Sequence, residues 1–119
     1  AEKTLKVAEK AKIATRKSTI SQRCDWLLDV AEQLEKQKDE FAKIITDEVG
    51  KPIQFSKVEV ERCIETVKLS AETMRTFSGE TINTDAMPSG KKTTAFFKRV
   101  PAGVVVAITP FNFPLNLVA

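Results

Sequence analysis

Residues Pro101–Ala119 read PAGVVVAITPFNFPLNLVA. Sixteen of its nineteen residues carry no hydrogen-bonding side chain, and none is charged. The run Gly103–Ile108, GVVVAI, is short, β-branched and apolar on both faces. A central parallel strand covered by layers on each side has that composition. Pro101 precedes it, TPFNFP follows as a loop, and LNLVA can open a helix with Pro114 near its first turn. Strand, loop, helix is the repeating unit of an open α/β sheet, in which ligands sit at the carboxyl ends of strands. The single amide of that loop, Asn112, lies between Phe111 and Phe113 and is flanked by Pro110 and Pro114.

Outward from there, the period changes. ETIN (80–83) and TTAFFKRV (93–100) alternate as two strands around the turn-rich TDAMPSGKK. A two-stranded ribbon is marginal alone, so this one is expected to pair with another sheet or chain. Upstream the pattern is helical. EKTLKVAEKAKIA (2–14) is moderately amphipathic. Thr19 and Gln22 fit a capping box opening a second helix. Its stripe runs through Cys24, Leu27, Leu28, Ala31, Leu34, Phe41, Ile45 and Val49, which predicts one helix of about 28 residues, some 40 Å long. EVGKP ends it, with Gly50 suited to a left-handed cap and Pro52 to the first turn of the next helix. There Val60, Ile64, Val67, Ala71, Met74 and Phe77 form the core stripe, with Glu59, Glu61, Arg62, Glu65 and Lys68 expected to face water. The fold class predicted is α/β, with three amphipathic helices, a ribbon arm and the first strand of a parallel sheet.

Composition limits the chemistry. The chain has 119 residues, 42% hydrophobic and 29% charged, with a net charge of +3. Lys91, Lys92, Lys98 and Arg99 account for that excess, which is too local for a nucleic-acid face. Histidine and tyrosine are absent. No ligand-like spacing predicts a metal site, and Cys24 and Cys63 read as buried free thiols of an intracellular, cytoplasmic protein. No secretory signal is evident, and the prolines and asparagines of the last stretch argue against a membrane span. An apolar end such as Leu117–Ala119 is normally buried by something that follows it, so the chain reads as a piece of a longer protein. There is no G-x-G-x-x-G and no Walker A run.

A carboxamide at the end of a buried strand needs a partner, or it costs about 1–3 kcal/mol. Two roles for Asn112 stay open on physical grounds. It can cap its own loop or the following helix. Or it can donate into a cleft toward a developing oxyanion, on a loop stiffened by prolines.

PAGVVVAITPFNFPLNL resembles the strand and loop that enter the cofactor site of the aldehyde dehydrogenase superfamily. EVGKP resembles that family's E-x-G-K-P turn, and VEVERCIETVKLSAE the helix after it. The resemblance implies the amino-terminal part of an aldehyde dehydrogenase-like fold: a helical part over 1–79, an oligomerisation ribbon over 80–100, and the first strand and loop of a Rossmann-like sheet over 101–119. It implies NAD- or NADP-dependent oxidation of a small aldehyde through a cysteine thiohemiacetal and thioester, in a homo-oligomer joined through the ribbon. Asn112 then supplies an oxyanion N–H, and Ile108, Thr109, Pro110 and Phe111 line the nicotinamide-ribose side of the cofactor. The nucleophilic cysteine and glutamate base of such enzymes lie downstream of this Asn, so these residues alone are expected to be inactive. Phe111 and PLNL lean toward the lactaldehyde and glyceraldehyde branch. The alternative is a non-catalytic helical protein-interaction module, which leaves TPFNFP unexplained.

Overall fold

The computed structural model describes residues 2–119. Four helices lead: α1 (Glu2–Lys17), α2 (Ile20–Lys36), α3 (Lys38–Val49) and α4 (Ile53–Thr76). The expected capping box opens α2, with the Gln22 N–H donating to Thr19 Oγ1 at 3.2 Å and the Thr19 N–H donating to Gln22 Oε1 at 2.9 Å. Each bond satisfies an N–H that the helix start would otherwise leave without a partner.

The single long helix predicted after Thr19 is two. Gln37, at φ −114° and ψ 18°, divides α2 from α3. The ladder nonetheless continues across it, from the Gln37 N–H to the Gln33 carbonyl and from the Phe41 N–H to the Gln37 carbonyl. Glu35–Glu40 offers no apolar side chain to bury, so packing does not hold the helical phase there. Gly50 ends α3 in the left-handed conformation, and Pro52 takes the N-cap place just before α4.

Helix α4 packs against both α2 and α3. The core between them comprises Ala31, Leu34, Ala42, Ile45, Val60, Cys63, Ile64 and Val67. At about 1.5–3 kcal/mol for each larger apolar side chain taken out of water, this seam is the main source of helix stability here. Leu28 and Phe77, read as stripe residues, are exposed instead. Cys24 closes the far end, its thiol donating to the Ala71 carbonyl at 3.2 Å. Helix α1 buries no residue among those described.

The ribbon forms as expected. Strands β1 (Glu80–Ile82) and β2 (Ala95–Phe97) pair antiparallel, with Glu80 opposite Phe97 and Ile82 opposite Ala95. Gly79 lets the strands approach, since a Cβ there would lie 1.8 Å from the Phe97 carbonyl oxygen. Arg99 ties the ribbon base to the end of α4, its guanidinium 4.0 Å from the Phe77 ring centroid and its Nε donating to the Ser78 carbonyl at 3.2 Å.

Gly103–Ile108 departs from its local expectation. It forms no strand, and Val105, Val106 and Ile108 are exposed. A parallel strand takes both its hydrogen bonds and its cover from neighbouring strands. The described residues supply neither.

Candidate functional site

The loop after Ile108 is held at both ends and open in the middle. At its base, the Thr109 hydroxyl donates to the Pro114 carbonyl at 3.1 Å. Past Pro114 the chain makes one helical turn, with the Leu117 N–H donating to the Phe113 carbonyl and the Val118 N–H to the Leu115 carbonyl. Leu115 packs against the α2–α4 core. Between these anchors stand Pro110, Phe111 and Asn112, all exposed.

What seats the loop on the helices is Glu59. Its Oε1 accepts from two consecutive main-chain donors, Leu115 N–H at 2.9 Å and Asn116 N–H at 3.2 Å. Its Oε2 pairs with Lys51, whose ammonium also lies over the Phe113 ring, 4.1 Å from the centroid. Arg62 flanks the same ring at 5.5 Å. Thr66 on α4 hydrogen-bonds Asn116 Oδ1 at 3.2 Å, and the Cys63 thiol points to the Leu115 carbonyl at 3.9 Å. Burial pushes the Cys63 thiol above its ordinary ionisation range, and the Glu59 charge adds to that.

This corrects the expectation that Glu59 faces water: it is 1% exposed. A carboxylate is tolerated there because three donors converge on it. Sequence periodicity places Glu59 one position from Val60, at the edge of the stripe, where charge and burial give opposite readings.

The five residues singled out from sequence lie on one continuous loop. Thr109 is half-buried and structural in its bonding, while Ile108 is 93% exposed and Phe111 77%. The Asn112 amide makes no hydrogen bond among the described residues, and Glu59 and Thr109 hold the loop in its place. A cavity of about 410 Å³ beside the loop is bordered by Lys51, Phe55, Val58, Glu59, Arg62 and Phe113. Among the described residues no helix is long and apolar enough to cross a membrane.

Known proteins resemble this chain in sequence and in fold. The family model described as the aldehyde dehydrogenase family matches residues 1–119. A lactaldehyde dehydrogenase of Methanococcus maripaludis is 46% identical over 114 residues, covering 96% of this chain and 23% of that protein. A 3-sulfolactaldehyde dehydrogenase of Priestia megaterium is 43% identical over 104 residues, covering 86% of this chain and 22% of that one. The crystal structure of glyceraldehyde-3-phosphate dehydrogenase GapN from Methanocaldococcus jannaschii, complexed with NADP, has a TM-score of 0.81 at 39% identity and covers 98% of this chain and 24% of that one. The chain thus spans less than a quarter of the length of these relatives, which fall in the lactaldehyde and glyceraldehyde branch. From fold, loop and likeness together, the chain belongs to the aldehyde dehydrogenase family.

Proposed function

We propose that the protein oxidises a small aldehyde to its carboxylate with NADP or NAD, and that this chain supplies the oxyanion donor and part of the cofactor site. The observation that carries the reading is the exposed Asn112 amide, uncommitted among the described residues on a loop otherwise fixed at both ends. In this scheme a cysteine thiolate adds to the carbonyl carbon, and the C=O π pair moves onto oxygen. The Asn112 side-chain N–H donates to that oxygen as its charge develops. The thiohemiacetal then collapses to a thioester with loss of hydride, and a water activated by a glutamate releases the carboxylate and restores the thiol.

The nicotinamide cofactor supplies the hydride acceptor. Residues 108–111 suit the nicotinamide-ribose end of such a group: Ile108 and Phe111 present open apolar surface, Pro110 brings stiffness, and none of the four is charged. The similar glyceraldehyde-3-phosphate dehydrogenases of Methanocaldococcus jannaschii and Bacillus halodurans are complexed with NADP, which favours that form.

Cys24 and Cys63 are both buried against helices, so neither is the attacking thiol. These 119 residues alone are therefore predicted to be inactive. The ribbon, with Ile82 and Phe96 exposed on an open-edged pair of strands, is assigned to subunit association in a cytoplasmic homo-oligomer. A purely interaction-binding module gives the Asn112 loop no purpose.

The deciding experiment is Asn112→Ala in the complete enzyme. Losing one oxyanion donor is expected to lower kcat by about 10²–10³ with little change in fold. Wild-type turnover in the variant would overturn the reading.

A further inference from the structure

A buried carboxylate is an expensive way to fill a helix stripe. Replacing a buried ion pair by apolar residues of similar volume is often neutral or stabilising. Glu59 is 1% exposed, next to Val60 and one turn from Cys63, where a branched apolar side chain would extend the seam. Stability alone does not call for a charge there. The carboxylate does something an apolar group cannot: Oε1 accepts two successive amides of the chain immediately after Pro114, 2.9 Å and 3.2 Å away. Two adjacent N–H groups converging on one anion fix the direction of the backbone that carries them. Oε2 faces Lys51, which reaches back from the α3–α4 turn and also covers the Phe113 ring.

The loop between is short. Thr109 closes its base on Pro114, and Glu59 seats its far side only three residues after Asn112. Asn112 therefore has little freedom to shift unless one of those two attachments lets go. An oxyanion donor works only when held within about 0.5 Å of its productive place.

We propose that Glu59 is a positioning residue for catalysis, acting through Asn112: its carboxylate, held by Lys51, fixes the loop that aims the amide at the reacting oxygen. The proposal rests on the reading of Asn112 as the oxyanion donor.

The test is a double-mutant cycle in the complete enzyme, with NADP and a short hydroxyaldehyde such as lactaldehyde as substrates. Glu59→Gln keeps an acceptor for the two amides but sets a neutral amide against Lys51. It is expected to lower kcat about tenfold while the KM for NADP stays within about twofold. Amide exchange over residues 113–118 is expected to quicken, with α4 unchanged. In an Asn112→Ala background the same substitution is expected to cost less than about twofold, because the group it positions is gone. A folded Glu59→Gln enzyme with wild-type kcat overturns the proposal, and so does a full tenfold loss repeated on top of Asn112→Ala. If Asn112→Ala is crippled while Glu59→Gln is not, the positioning role alone falls. If Asn112→Ala keeps its turnover, the oxyanion reading falls and takes this proposal with it. Should Glu59→Gln fail to fold, Glu59→Asp keeps the charge beside Lys51 but draws the carboxylate back from the Leu115 and Asn116 amides. The same kinetic pattern is expected at smaller amplitude, and unchanged kcat there overturns the proposal.

Discussion

The Lys51 ammonium lies 4.1 Å from the centroid of the Phe113 ring while the same nitrogen pairs with the Glu59 carboxylate. One cation thus joins the α3–α4 turn, the buried acid of α4 and the loop that carries Asn112. Its side chain is 14% exposed and that of Glu59 is fully buried, so water does little to replace either partner.

Removing the cation alone should therefore be costly. Lys51→Met preserves the length of the side chain and its contact with Phe113 but leaves Glu59 charged in the interior. The expected loss is about 3 kcal/mol, the lower end for breaking a buried pair, because two main-chain donors still reach the carboxylate. Lys51→Arg keeps the charge and should lose less. Urea denaturation midpoints of the two variants of the complete enzyme check the order.

The turn before Lys51 makes a separate, smaller demand. Gly50 sits at φ 71°, and nothing lies within 4 Å of where its Cβ would be. Gly50→Ala therefore meets no clash and pays only for the left-handed backbone, an expected loss of about 1 kcal/mol. Gly50→Asn should lose less, since Asn tolerates that conformation. Thermal unfolding of the three proteins ranks them.

These two neighbours differ in how far the sequence reveals them. The Gly50 cap and the Thr19–Gln22 box use partners three or four residues away, so spacing alone predicts them. The stripes through Ala31, Leu34, Ile45, Val60 and Ile64 are visible for the same reason. Glu59 is different. Its amide partners lie 56 and 57 residues further along, and a charged residue in a charged helix reads as solvated. The break at Gln37 was hidden because the apolar spacing from Leu34 to Phe41 still fits a continuous helix. Gly103–Ile108 fails locally for a complementary reason: its strand character depends on neighbours outside its own segment. Asn112 was legible because it is the lone amide between two phenylalanines and two prolines.

Cys63 offers a test by pH. Burial, then the Glu59 carboxylate, raises its ionisation above the ordinary value of 9.0. The sign follows from linkage. Below that value the thiol is protonated in both folded and unfolded chains, and its contribution to stability is fully present. As pH climbs past it, the unfolded thiol ionises first and draws the equilibrium toward unfolding, until the folded value is passed as well. Ionisation in the folded state would also abolish the thiol's donation toward the Leu115 carbonyl, loosening the turn beyond Asn112. Cys63→Ala removes this source of alkaline sensitivity. Its stability deficit relative to the parent should be largest near neutrality and should shrink about one unit above the ordinary thiol value. Denaturation midpoints of both proteins at the two conditions measure it. A gap that stays constant, or widens with pH, would show that Cys63 ionises at least as readily folded as unfolded and that its seat under the loop is not dry.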